Sequence, residues 1–286
     1  MAEIINGKIV SAKLRDEIAR DVALYKANVG KTVGLAVIVV GDDPASAVYV
    51  RNKHKACLEV GIESYQIEYP VSISEGELLS KIDELNRDES VNGILVQLPL
   101  PGHINESAVI NRIDPKKDVD AFHPENVGRI MIGDYSLLPC TPAGIMALLD
   151  HYNVEIAGKR CVVIGRSNIV GKPMALLLLE RHGTVTVCHS RTRGINDICR
   201  EADIIVVAVG RSEFLRGNMV KPGAVIIDVG INRDADGKLL GDVAFSEVSK
   251  LASMITPVPG GVGPMTITML LRNTLTAARM QNLEIN

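Results

Sequence analysis

Tyr49 and Lys53 are four residues apart, a spacing that puts both on one face of a helix. The segment 44–60 has the signs of one. Asp43 suits an N-cap, Pro44 the first helical position and Gly61 the C-cap. An amine beside a phenol can hold a proton and pass it on, which is acid–base chemistry. Such a pair ordinarily just decorates a surface, but two other segments raise its standing. Gly93-Ile94-Leu95-Val96 reads as a buried strand that runs into Gln97-Leu98-Pro99-Leu100-Pro101. Ligands of open α/β sheets bind beyond the carboxyl ends of strands, where Gln97 falls. The loop Asp114-Pro-Lys-Lys-Asp118-Val-Asp120-Ala-Phe122 then offers three carboxylates. Loop charges are usually only solvated, so Asp120 is a candidate by the company it keeps.

A second constellation points to a nucleotide. The strand ending at Ile164 runs into Gly165-Arg166-Ser167-Asn168-Ile169-Val170-Gly171-Lys172-Pro173 and then a helix. Strand, glycine turn and helix N-terminus together cradle a pyrophosphate through free backbone N–H groups and the helix dipole. GxGxxG is absent. The turn also fails as a P-loop, with five residues between its glycines and Pro after the lysine. A variant dinucleotide turn remains, set against a plain strand-to-helix connection. The next strand ends in Cys188-His189-Ser190-Arg191-Thr192-Arg193, without the carboxylate that binds an NAD ribose. One hydroxyl, two guanidiniums and Arg166 would attract a 2′-phosphate, which favours NADP. Cys188 and His189 are strand neighbours and point to opposite faces, so they are not read as a catalytic pair.

The elements that must position these groups alternate. A helix over 11–29 precedes a strand at 35–40, the helix 44–60, a strand near 64–69, a helix near 75–87 and the strand at 93–97. The stretch 99–139 is rich in Pro, Gly, Asp and Asn, with short helical content; a loop region of that length is usually functional. A helix over 141–152 leads to a second series, with strands at 160–164, 184–188, 204–209 and 224–229, a helix over 170–182 and a last helix over 265–281. This predicts an α/β fold with parallel sheets covered by helices on both faces.

Composition excludes several classes. Apolar residues make up 47% of the 286, enough for a real core, and the net charge of −3 gives no reason to expect a nucleic-acid or anionic-membrane partner. The five cysteines are odd in number and none has CxxC spacing, which argues against disulfides and zinc ribbons and for a reducing compartment. There is no HExxH, no GxSxG and no pair of closely spaced histidines, so no metal site is expected. The first residues carry charges throughout, unlike a secretory signal, and apolar runs are of strand length. The expected location is cytoplasmic.

Taken together, Tyr49-Val-Arg-Asn-Lys53, Gln97-Leu-Pro-Leu-Pro101, Lys117-Asp-Val-Asp-Ala-Phe122, Gly165-Arg-Ser-Asn-Ile-Val-Gly171 and Pro257-Val-Pro-Gly-Gly-Val-Gly-Pro-Met-Thr266 resemble the bifunctional methylenetetrahydrofolate dehydrogenase/methenyltetrahydrofolate cyclohydrolase family. The likeness spans nearly the whole chain. It implies an N-terminal α/β catalytic domain (1–145, joined by the C-terminal helix 266–286), a Rossmann-type NADP-binding domain (146–265), folate in a cleft between them, and a homodimer. It implies that Lys53 is the catalytic lysine, that Gln97 hydrogen-bonds it, that Tyr49 lies against the pterin and that Asp120 binds the pterin's N–H edge. Gly165, Arg166, Ser167, Ser190 and Arg191 become cofactor contacts, Ile231 lines the nicotinamide pocket, and Pro259, Gly260, Gly261 and Val262 border the folate. One position departs. Ala121 follows Asp120 where the family commonly has Gly, and if a positive φ is needed there, Ala strains the loop.

The chemistry so implied is oxidation of 5,10-methylenetetrahydrofolate with NADP, then hydrolysis of the methenyl product with Lys53 handling water's proton. Three rivals are a dehydrogenase lacking the cyclohydrolase step, a non-catalytic NADP-binding subunit, and another NADP enzyme such as a shikimate-type dehydrogenase. Intact Lys53 and Gln97 count against the first two, and Asp120 with the PGGVGPMT run against the third.

Overall fold

The computed structural model describes residues 1–41, 44–234 and 236–283, and for 44–49 the backbone only. In chain order the elements are β1 (Glu3–Ile4), α1 (Gly7–Val29), β2 (Gly34–Val40), α2 (Pro44–Val60), β3 (Glu63–Tyr69), α3 (Glu75–Arg87), β4 (Gly93–Val96), α4 (Glu106–Arg112), α5 (Pro124–Ile132) and α6 (Cys140–His151). There follow β5 (Arg160–Ile164), α7 (Gly171–Glu180), β6 (Thr184–Cys188), α8 (Ile195–Arg200), β7 (Ile204–Val207), β8 (Val225–Asp228), β9 (Asn232–Arg233), β10 (Leu239–Leu240), α9 (Phe245–Val248), β11 (Met254–Ile255) and α10 (Val262–Leu283).

By contacts the chain falls into two compact units. One joins Met1–Ala12 to Thr141–Thr266; the other joins Lys13–Cys140 to the C-terminal residues from Ile267. The sequence had placed residues 1–12 with the first domain. They lie with the second because Glu3 and Ile4 pair in parallel with Met254 and Ile255, and a two-residue strand has no periodicity to betray it.

The Lys13–Cys140 unit holds a parallel sheet of order β3-β2-β4. Every residue of central β2 is buried, as a strand covered on both faces requires. Ala36, Ile38 and Val40 alternate onto one face and meet Leu78, Ile82 and Leu85 of α3. Those three recur at helical spacing, and α3 is opened by a Ser74–Glu77 capping box. The Pro- and Gly-rich stretch after β4 contains α4 and α5, both short as expected.

The other unit holds a parallel six-stranded sheet of order β1-β11-β8-β7-β5-β6. Its core joins Val162 and Ile164 to Ile205, Val207 and Ile226. The order reverses between β5 and β7, which makes the carboxyl ends of those strands the switch point where nucleotides bind. β7 stops at Val207 rather than 209, because residues 209–211 turn away to hydrogen-bond the side chain of Asp242. The hairpin β9–β10 and helix α8 were not foreseen; both are too short to carry a pattern.

Candidate active site

Lys53, on the C-terminal half of α2, is buried at 9% exposure. Its Nζ donates to Gln97 Oε1 at 2.9 Å. The Gln97 amide is fixed from its other side, since Nε2 donates to Leu98 O at 2.7 Å. Its backbone N–H extends the sheet by donating to Ile38 O at 2.8 Å. The oxygen of Gln97 therefore has to face the lysine. The side chain of Tyr49 lies outside the described residues.

Asp120 sits on a loop tied down on every side. Ile94 N donates to Lys117 O at 2.7 Å. Asp118 Oδ2 accepts from His123 N at 2.8 Å and from Asn126 Nδ2 at 2.9 Å. Asn273 of α10 donates to the carbonyls of Val119 and Leu138, both at 2.8 Å. Cys140 Sγ lies 3.7 Å from Asp120 Oδ1 as its donor. Burial raises the Asp120 carboxyl above its ordinary value, offset by the Lys53 charge and the Cys140 hydrogen bond. Cys140 is itself pushed well above the thiol range by burial and by Asp120, so it serves as a donor and not as a nucleophile. The sequence reading missed Cys140 and Asn273, which look like ordinary helix residues until the loop is seen packed on them.

Ala121 is fully buried with φ +56, so the position does require the left-handed region. A Cβ there costs on the order of 1 kcal/mol. Ala121→Gly is expected to raise the denaturant midpoint by the equivalent of about 0.5–1 kcal/mol, measured by urea unfolding.

Asp118 is buried and its pKa is raised to about 6, chiefly by desolvation. A carboxyl whose folded value lies above its unfolded value stabilises the fold fully below about pH 4, and that contribution is lost as pH rises to about 6. In Asp118→Asn the amide oxygen can still accept from His123 and Asn126. The variant's stability should therefore vary less between pH 4 and 6.5 than the wild type's, by roughly 2 kcal/mol. Equal slopes in pH-dependent thermal unfolding would refute this.

In the other unit, Gly165 follows β5 with φ +128, and a Cβ there would lie 2.3 Å from Ala208 O. A Cβ on Gly171 would lie 2.3 Å from Gly165 O. Both glycines are therefore obligatory, and the turn folds so tightly that α7 starts directly over the strand end. Ser167 Oγ accepts from Val170 N and Gly171 N at 3.2 and 3.3 Å, and its hydroxyl hydrogen has no acceptor among the described residues. Arg166, Ser190, Arg191 and Arg193 are exposed. None of the three arginines has an ion-pair partner among the described residues. His189 shapes their turn, its N–H donating to Thr192 Oγ1 at 2.9 Å and its Nδ1 accepting from Arg191 N at 3.1 Å. Ile231 follows β8 as an apolar side chain 52% exposed. This cradle fits a dinucleotide: close backbone at the pyrophosphate position, uncommitted cations, and no carboxylate at the end of β6.

Pro259 follows a cis peptide bond, and Gly260 has φ +104. A Cβ on Gly7 would lie 1.7 Å from Gly261 O, and one on Gly261 would lie 2.6 Å from Pro257 O. The glycine run thus packs backbone on backbone against the start of α1. α10 begins at Val262, three residues earlier than expected, so Val262 is helical and buried.

Fold and site together define a two-domain α/β oxidoreductase with a nucleotide-binding module. Residues 5–120 match the family model for the tetrahydrofolate dehydrogenase/cyclohydrolase catalytic domain, and residues 139–282 that for its NAD(P)-binding domain. The chain is 60% identical over 278 residues to the bifunctional protein FolD of Halalkalibacterium halodurans, covering 97% of this chain and 99% of the relative. The crystal structure of the bifunctional FolD enzyme from Campylobacter jejuni superposes with a TM-score of 0.96 at 50% identity, covering 98% of this chain and 100% of that one. The Trypanosoma brucei FolD, solved with NADP cofactor and an inhibitor, superposes at 0.94 with 41% identity, covering 98% of each chain. The chain belongs to the tetrahydrofolate dehydrogenase/cyclohydrolase family, as a bifunctional enzyme with an NAD(P) cofactor. The shikimate-type and non-catalytic alternatives fall with that membership. No described helix is long and apolar enough to cross a membrane.

Proposed function

We propose that this enzyme oxidises 5,10-methylenetetrahydrofolate with NADP and then hydrolyses the 5,10-methenyl product to 10-formyltetrahydrofolate, both at Lys53. The observation that carries the reading is the part-buried Lys53–Gln97 hydrogen bond at 2.9 Å, with Asp120 close enough for the lysine to act on its ionisation. NADP, when bound, accepts the hydride from the methylene carbon. Asp120 accepts from the pterin's N–H edge and sets the carbon's position, Pro259, Gly260, Gly261 and Val262 border the folate, and the motif likeness alone assigns Tyr49 to the pterin. In the second step water adds to the cationic carbon. Lys53 takes up one of the water's protons and relays it to the nitrogen whose C–N bond breaks, while the second leaves to solvent as the hydroxyl becomes the formyl C=O. Gln97 holds the amine on that path. Arg166, Ser167, Ser190 and Arg191 would hold the phosphates on the Gly165 turn, and Ile231 would line the nicotinamide pocket. The intact lysine–glutamine pair favours this reading over a dehydrogenase that lacks the hydrolytic step.

The same reading makes the enzyme a cytoplasmic homodimer whose product feeds purine, methionine and histidine biosynthesis. The test is absorbance after mixing enzyme, methylenetetrahydrofolate and either NADP or NAD. The NADPH band should rise while the methenyl band rises and then decays. NADP should be preferred in kcat/KM by about tenfold or more, the worth of one charge-assisted hydrogen bond. A methenyl band that accumulates at the uncatalysed decay rate selects the monofunctional alternative.

A further inference from the structure

The loop after β7 presents three successive N–H groups to one buried carboxylate. Asp242 Oδ2 accepts from Val209 N at 2.7 Å and Gly210 N at 2.9 Å. Its Oδ1 accepts from Arg211 N and from Asn232 Nδ2, both at 2.9 Å. Gly210 has φ +63, and converging amides around such a residue form a nest, a backbone concavity that binds anions. The side chain of Asp242 is fully buried. It is also held from behind, because Asp228 at the end of β8 accepts from Asp242 N at 2.8 Å, Val243 N at 3.0 Å and Gly230 N at 2.9 Å. The fit leaves no slack. A Cβ on Gly230 would lie 2.3 Å from Asp242 Oδ1, and one on Gly241 would lie 1.8 Å from Asp228 Oδ2.

This nest stands at the switch point. β7 is the sheet neighbour of β5, and Ala208 O is the atom that any Cβ on Gly165 would strike. Two anion-binding backbone loops therefore lie side by side at one crevice, and an empty nest after β7 would compete with the Gly165 turn for the cofactor's phosphates. We propose that Asp242 is the cofactor domain's internal anion: it fills the nest after β7, fixes that loop as a wall of the crevice, and leaves the Gly165–Gly171 turn as the pyrophosphate cradle. Through Asn232 the same carboxylate steadies the residue that follows Ile231. Asp242 is thus a positioning residue for the nucleotide. The inference rests on the NADP reading above.

The test is steady-state kinetics of Asp242→Asn and Asp242→Ala. The asparagine amide must turn an NH2 towards two of the four donors whichever way it flips. The KM for NADP should rise at least about tenfold, with kcat at saturating NADP and cofactor-free hydrolysis of the methenyl substrate within about threefold of wild type. In Asp242→Ala the same rise should be partly reversed by formate, a carboxylate small enough for the vacated space. Should the alanine variant fail to fold, Asn232→Ala removes a single donor and should raise the KM about two- to fivefold. A folded Asp242→Asn with a wild-type KM for NADP, or a defect in Asp242→Ala that formate leaves untouched, overturns the proposal. Wild-type enzyme that reduces no NADP would instead sink the functional reading.

Discussion

Lys53→Met is expected to lower kcat for methenyl hydrolysis by about 10³-fold or more, while NADP-dependent oxidation should fall far less. Methionine keeps the length of the side chain and removes its only polar atom. It takes away the group proposed to carry water's proton, and positioned acid–base groups are worth roughly 10²–10⁴ in rate. Two further effects add to this. Gln97 Oε1 loses its donor at 2.9 Å, and its amide cannot simply flip because Nε2 is held by Leu98 O. Asp120 loses the positive charge that offsets its burial, so its carboxyl is pushed further above its ordinary value, and a protonated carboxyl would accept less well from the pterin it is proposed to bind. As pH falls, the KM for folate should therefore begin to rise at a higher pH in the variant than in the wild type. The measurement is decay of the methenyl band over a pH series; hydrolysis within tenfold of wild type removes Lys53 from the mechanism.

Gly165→Ala should cost at least about 100-fold in kcat/KM for NADP. Two penalties combine. At φ +128 the backbone is in a region essentially reserved for glycine, which costs another residue about 1–3 kcal/mol. The new methyl would also lie 2.3 Å from the Ala208 carbonyl oxygen, a backbone atom with nowhere to go. The strands would have to part at the turn proposed to hold the pyrophosphate. The residues assigned to hydrolysis lie in the other unit, so the methenyl substrate should still be hydrolysed within a few-fold of wild type. A wild-type KM for NADP in the folded variant would mean that this turn does not hold the cofactor.

The outcome at Ala121 and at Asp242 shows where local reading ends. That Ala121 would matter if its φ were positive is a statement about one residue, and the sequence supported it. That the φ is positive, at +56, depends on Asp118 bonding forward to His123 and Asn126 and on Asn273 arriving from 154 residues away. Asp242 carried no mark except its place after a glycine. Its importance comes from a loop some thirty residues earlier. Asp118 looked like a solvated loop charge and proves to be buried.

What the sequence determined by itself is whatever a few neighbouring residues decide. The buried runs became β2, β4, β5 and β7, helical spacing gave α2 and α3, and the motif residues Lys53, Gln97, Asp120 and Gly165 to Gly171 were recognisable because each motif is short and contiguous. Tertiary structure decided the rest. It set the strand order that creates the switch point, the lodging of Glu3 and Ile4 at the edge of the six-stranded sheet, and the backbone contacts that forbid a side chain at Gly7 and Gly165. It also chose which carboxylates face amides and which face water. The reason is one of range. Propensity and periodicity act over a turn or two of chain, whereas burial, close approach and the pairing of a charge with its donors depend on which distant segments meet.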